Sequence, residues 1–346
     1  MPTKTKSDYE RILFLVISPI LALLIIAAGA GEITREAGFD FLGVQLHRAP
    51  LVIFLIFLTQ GHVFLIFQRS MANREVFNRF KMKILIGTAT VMSLAIFSNF
   101  FFLLFTFVNI FWLQHHFMMQ NFGVNRLLGK SELLQSRGRR WMDLVFVFVT
   151  FFAPVLNSAP QIMFDPQSIS SILLKINGIS YIHGVMVFLE FAIKTAIALE
   201  TPILILSFAY IGYLFKNETR LKAVFALSLM LGSWLPWLYF DPQLAIGVYI
   251  LLHSIQYYYL VAKTSDVGAS KKNSFIFLGW VAAALLFGSL YPFFASKEEI
   301  TMDSNFNVRA LNGFLAAGNL LHFWMDGFVW KRISMPVVQE QVESAI

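Results

Sequence analysis

Long apolar runs alternate with short polar segments along the whole chain. Runs such as 12–30 and 51–68 reach the roughly 20 residues that a helix needs to cross the hydrocarbon core of a bilayer. The runs are continuous, which is typical of helices and not of the alternating strands of a membrane barrel. A helix also satisfies its own backbone hydrogen bonds, as hydrocarbon requires. The pattern therefore predicts an all-α, polytopic transmembrane helix bundle.

Each long apolar run is assigned one span, which predicts a bundle of ten. The predicted spans are 12–31, 51–68, 84–98, 100–121, 142–162, 195–215, 223–240, 243–262, 274–294 and 309–330. A further stretch, 171–194, predicts an outer-surface or re-entrant helix that leads to Pro202, where a proline can break or kink the next span. Residues 1–332 are then a single transmembrane helical domain, and 333–346 form a cytoplasmic tail.

The positive charges indicate how the spans are oriented, because cytoplasmic loops are enriched in Lys and Arg. With both termini in the cytoplasm, all but six of the 27 Lys and Arg residues fall in inner segments. The same rule requires two crossings between the basic clusters at 74–83 and 126–140, which divides the run between them near Ser98 and Asn99. Because this bias accounts for the net charge of +7, we predict no nucleic-acid partner.

Composition supports a membrane protein and limits its chemistry. The chain is 57% hydrophobic, with a mean hydropathy of +0.67, whereas soluble chains are about 45–50% apolar. We therefore expect an integral, multi-pass protein of the cell or inner membrane that is surrounded by membrane lipids. The sequence contains no cysteine, which excludes disulfides, Cys-ligated zinc and iron–sulfur clusters.

Four of the predicted spans carry a histidine at a similar depth. The next basic residue at the inner boundary follows after seven residues for His62, ten for His116, ten for His253 and nine for His322. At 1.5 Å per residue, each histidine lies roughly 10–15 Å from that boundary. Unrelated positions would scatter over about 30 Å of hydrocarbon. The shared depth therefore predicts that these histidines meet at one site.

Polar residues accompany three of the histidines at a spacing of three or four, which places both side chains on one helix face. Asp326 can orient His322 or bind a metal ion itself. His115 and His116 point about 100° apart, so we expect His116, which shares a face with Gln120, to face the centre. The predicted metal ligands are His62, His115, His116, His253 and His322, and the predicted catalytic residues are Asp326, Gln120 and Gln256.

Imidazole groups bind iron, zinc and copper. Histidines with a carboxylate, no thiolate and apolar surroundings predict a non-haem iron centre, mononuclear or di-iron. Such a centre would oxidise a lipid-soluble substrate with electrons from a donor. Three alternatives stay open at this point. Two histidines at one depth can ligate a b-type haem, His and Asp within spans can form the proton pathway of a transporter, and the histidines of a structural subunit can link helices.

Overall fold

The computed structural model describes residues 10–33, 38–41, 44–47, 57–68, 70, 74–129, 136–163, 179–240, 242–264, 271–294, 310 and 313–326. Ten helices lie in these ranges. The helices are α1 (Ser18–Ile33), α2 (Phe57–Phe67), α3 (Arg74–Phe97), α4 (Asn99–Leu127), α5 (Arg137–Met163), α6 (Ile179–Asn217), α7 (Arg220–Tyr239), α8 (Pro242–Thr264), α9 (Lys271–Phe294) and α10 (313–326). A π-helical turn, Ile12–Val16, precedes α1. Each predicted span overlaps one of these helices.

Within the described ranges, five helical segments are long and apolar enough to cross a membrane, which indicates a membrane protein. They are Phe77–Phe97, Ala198–Asn217, Arg220–Tyr239, Leu244–Lys263 and Lys272–Ser289. Large apolar side chains on α3, among them Leu85, Ile86 and Phe97, are exposed, as expected of a surface that contacts lipid tails. Ten crossings and cytoplasmic termini stay predictions.

One short hairpin is the exception to the helical structure in the described ranges. Strand β1 (Gly38–Phe41) pairs antiparallel with β2 (Val44–His47), with Gly38 opposite His47. The apolar pattern did not predict it, because four-residue strands are too short to give a periodic signal distinct from a loop.

The region before Pro202 also differs from the sequence prediction. Helix α6 begins at Ile179 and continues through Pro202 to Asn217, so residues 179–194, the described part of the predicted stretch, belong to the same helix as the next span, which does not break at the proline. Proline removes one backbone donor, but transmembrane helices tolerate it because neighbouring groups satisfy the acceptor that it leaves.

The chain divides into two compact units. The first consists of Met1–Ala27 and Met118–Leu252, and the second of Ala28–Phe117 and His253–Ile346. A single domain over 1–332 stays a prediction, and the predicted tail at 333–346 lies outside the described residues.

In the first unit, α5, α6 and α7 pack against one another, and the π-helical turn packs against α7. Helix α7 begins at a threonine cap, because the Thr219 side chain accepts a hydrogen bond from the main-chain N–H of Lys222. The Thr219 hydroxyl also donates to the carbonyl of Leu128 at the end of α4. One capping residue therefore fixes the start of α7 and its position against α4.

A buried carboxylate links four helices of the first unit. Asp143 on α5 is 0% exposed and accepts hydrogen bonds from Asn125 (3.2 Å), Arg126 (3.1 Å) and the Tyr210 hydroxyl. The Lys222 ammonium on α7, 1% exposed, lies 2.8 Å from the same carboxylate. The buried carboxylate thus has opposite charges and further donors beside it, and the buried ammonium has a carboxylate acceptor, the condition under which burying such charges is tolerated.

A second carboxylate extends this cluster. Glu218 lies 3.4 Å from the Lys222 ammonium and 3.6 Å from the Arg139 guanidinium, whose carbon is 4.4 Å from the centre of the Tyr213 ring. Because these groups compensate one another, we assign the Asp143 cluster a structural role.

Replacing Asp143 should therefore destabilise the protein strongly. Asp143→Ala should lower the free energy of unfolding by about 3–5 kcal/mol, because it removes the closest carboxylate from the buried Lys222 ammonium. Arg140→Ala, at an exposed position on the same helix, should change it by less than about 0.5 kcal/mol. Equilibrium unfolding in detergent micelles measures both values. Equal effects of the two substitutions would contradict the structural role of Asp143.

Candidate metal centre

Four histidines from four helices lie together inside the second unit. His62 is on α2, His116 on α4, His253 on α8 and His322 on α10. All four are buried, and His253 and His322 are 0% exposed. The structure thus brings together the four histidines for which the sequence predicts a shared depth.

Each of the four imidazole rings packs edge to face against two of the others. Ring centroids are 4.7 Å apart for His62 and His253, 4.7 Å for His253 and His116, 4.9 Å for His116 and His322, and 5.1 Å for His322 and His62. This packing does not fit a haem held between two of these histidines, because the macrocycle would have to lie between rings that already touch.

Two overlapping groups of side chains offer ligand atoms to a metal ion. One is His62, His253 and His322, and the other is His116, His322 and Asp326. Within each group the ligand atoms lie within 4.8 Å of one another. Atoms that bind one ion at about 2.0–2.2 Å are about 3–4.4 Å apart, so both groups are close to the size of a metal site.

The surroundings of His62 fix which of its nitrogens can bind a metal. Its Nδ1 faces the carbonyl oxygen of Thr59, one turn earlier, and lies 3.0 Å from the Ser254 hydroxyl. A carbonyl only accepts, so Nδ1 carries the proton and donates it, and the lone pair is on Nε2. Metal-binding histidines are typically held in this way, with one nitrogen donating to a carbonyl or carboxylate.

Asp326 is the one residue of the two ligand groups that carries a carboxylate. Its Oδ2 lies 3.3 Å from Nε2 of His116 and 3.7 Å from Nε2 of His322. Among the residues that the structure describes, neither ring nitrogen of His322 has a hydrogen-bond partner. A dication bound by neutral imidazoles would place positive charge next to this buried carboxylate and offset part of its desolvation cost.

Close backbone contact between α2 and α9 positions His62. A side chain on Gly61 would clash with the main chain of Ala284, and one on Gly288 would clash with the main chain of Phe57. Small residues of this kind let two membrane helices approach closely. Helix α2 also tightens to a 3₁₀ turn at His62–Phe64, so His62 stands where the helix geometry changes.

Helix α10, which carries His322 and Asp326, is fixed against α4 and α3. The Asn109 side chain of α4 donates a 2.9 Å hydrogen bond to the carbonyl of Ala316. Toward α3, Leu321 and Met325 are buried in a cluster with Ile84. These contacts set the height at which His322 meets the other histidines.

His115, Gln120 and Gln256 complete the predicted site residues, and their environments differ. His115 is exposed, its ring centroid is 6.4 Å from that of Trp112, and it belongs to neither ligand group. Gln120 is half-buried and belongs to the first unit, whereas Gln256 is buried in the second. The rotation of 100° between consecutive residues explains why only one histidine of the doublet faces inward.

Two residues that contact the cluster were not among the predicted site residues. Ser254 contacts His62, and the Tyr257 hydroxyl donates a 3.1 Å hydrogen bond to Oδ1 of Asp326. Tyr257 follows His253 by four residues and so shares its helix face. The spacing that singled out Gln120 and Asp326 could therefore have found it.

Compared with protein-family models, curated protein sequences and solved structures, the chain matches none.

A methyl group at the α2–α9 contact should force the two helices apart. Gly288→Ala should lower the free energy of unfolding by about 1–3 kcal/mol, the usual cost of overpacking. Gly279→Ala is the matched control on the same helix, because a methyl group there meets open space. Helix propensity should make that change neutral or stabilising by up to about 1 kcal/mol. Thermal unfolding in detergent measures both changes. Equal losses of stability in the two variants would contradict the predicted clash between α2 and α9.

Proposed function

We propose that this chain is a membrane-embedded, metal-dependent oxidoreductase whose non-haem iron is held by the histidine cluster. The observation that carries the proposal is the pair of buried ligand groups that share His322, one of three histidines and one of two histidines and a carboxylate. We infer one ion per chain, bound at His322, the residue that the two groups share, with its other ligands drawn from His62, His116, His253 and Asp326.

The donor set favours iron over other metals. The sequence has no cysteine, so soft thiolate sites for copper(I) or structural zinc are excluded. Two histidines and a carboxylate are the donors of non-haem iron(II) oxygenases, which keep further positions open. When bound, such an iron activates dioxygen for the oxidation of a substrate.

The protein's own residues would bind the ion, hold the ligand atoms in place and exclude water. His62 presents Nε2 because its Nδ1–H donates to the Thr59 carbonyl, and the fully buried His253 and His322 approach from two other helices. Phe117 and Phe323 pack on these rings, with centroids 4.9 Å from His253 and 4.7 Å from His116, respectively. Apolar surroundings of this kind suit a lipid-soluble substrate. The electrons for the reaction would come from an external donor.

The same proposal includes a topology of ten crossings in the cell or inner membrane, with both termini in the cytoplasm. It is supported by the overlap of every predicted span with a helix and by the distribution of basic residues. In this arrangement the four histidine-bearing spans all run from outside to inside.

Metal analysis of the purified protein tests the proposed centre. We expect about one iron per chain and no Soret absorption, since the histidines are packed ring to ring. His322→Ala should lose the iron, because His322 belongs to both ligand groups. His115→Ala should retain it, since His115 is exposed and outside both groups. A Soret band, or folded wild-type protein without metal after growth in iron-rich medium, would contradict the proposal.

Reporter fusions test the topology. A fusion at Gly129 should report the cytoplasm, and one at Glu298 the opposite side, because an odd number of predicted spans lies between them. Finding both positions on one side would remove the common direction of the histidine-bearing spans.

A further inference from the structure

Tyr257 is the residue that connects the carboxylate of the site to its histidines. Its side chain is 1% exposed, and its hydroxyl donates the 3.1 Å hydrogen bond to Oδ1 of Asp326. The centroid of its ring lies 4.8 Å from that of His322, 5.7 Å from that of His62 and 5.8 Å from that of His253. Tyr257 therefore contacts every member of the three-histidine group and also holds the carboxylate.

The hydrogen bond divides the two oxygens of Asp326 between two tasks. Oδ1 accepts from Tyr257, whereas Oδ2 is the oxygen near Nε2 of His116 and of His322. A free carboxylate rotates about its terminal torsion, which has a broad, roughly two-fold energy profile. Occupying Oδ1 holds that torsion, so a single oxygen faces the histidines.

We propose that Tyr257 is a positioning residue, which presents Oδ2 of Asp326 to the metal site and thereby sets the strength and geometry of metal binding. The inference rests on the proposed function, because it concerns the same ion. Tyr257 acts through Asp326 and does not itself bind the ion. Outer-shell partners of metal ligands typically contribute 10–100-fold to metal affinity.

A matched control lies next to Tyr257 on α8. Tyr258 is also a tyrosine of the second unit, packed against the buried cluster around Leu65, and its hydroxyl has no hydrogen-bond partner in the described ranges. Replacing either tyrosine by phenylalanine removes a single oxygen atom. Any difference between the two variants therefore reports on the bond to Asp326 and not on the loss of a hydroxyl in general.

The test is a double-mutant cycle on the full-length protein in detergent with Co(II) as the probe. The affinity for Co(II) is measured by competition with a chelator, and the ligand-field absorption bands report the geometry. Tyr257→Phe should weaken binding about 10–100-fold and shift the bands toward those of Asp326→Asn. In the Asp326→Asn background, Tyr257→Phe should have no further effect, since the two residues act as one unit. Tyr258→Phe should match the wild type.

The outcomes separate the two proposals. Wild-type protein that binds neither iron nor Co(II) overturns the proposed function and this inference with it. Normal affinity and bands in Tyr257→Phe, with a defect in Asp326→Asn, overturn the role of Tyr257 alone. Additive effects in the double variant would show that the two residues act independently, which contradicts the inference. A Tyr257→Phe protein that is not recovered folded, while Asp326→Asn is, would assign the hydroxyl to stability and also contradict it.

Discussion

Neither the packed interior of a protein nor hydrocarbon offers a hydrogen-bond partner to a lone polar side chain, and this constraint accounts for two clusters of buried polar residues in the described helices. A buried polar group is tolerated only where other polar groups meet it. In the first unit the charges of Asp143 and Lys222 satisfy each other together with neutral donors. In the second unit, four histidines, Asp326 and Tyr257 gather in the same way. The difference is chemical, because the first cluster pairs opposite charges, whereas the second presents lone pairs.

Lone pairs can be used only if their positions are fixed, and the second unit fixes them through the backbone. The glycine contacts between α2 and α9 leave no flexible side chain between the two main chains. Helices α4 and α10 are held by a side-chain bond to a carbonyl, about two turns from His116 and His322. Packed interiors do not deform continuously, so contacts of this kind set imidazole positions more firmly than long side chains would.

How much of the site could be predicted follows from the geometry of a helix. Counting residues to a charged boundary gives depth, and this was enough to select His62, His116, His253 and His322. Rotation about the helix axis needs a companion at three or four residues, which separated His116 from His115 and would have found Tyr257. The Thr59 carbonyl, the hairpin and the continuous helix through Pro202 depend on local backbone geometry and tertiary contacts. No residue pattern in the sequence encodes these features.

The shared residue of the two ligand groups gives the site a property that neither group has alone. Three neutral imidazoles leave the full charge of a dication in place, whereas two imidazoles and a carboxylate cancel half of it. His322 belongs to both groups, so the charge felt by an ion beside it depends on how near Oδ2 of Asp326 stands. The Tyr257 hydroxyl donates a hydrogen bond to Oδ1, the other oxygen of Asp326, and in our proposal this bond holds Oδ2 in place. Under the proposed function, one hydrogen bond at the edge of the cluster therefore adjusts the electronic state of an ion that Tyr257 does not touch.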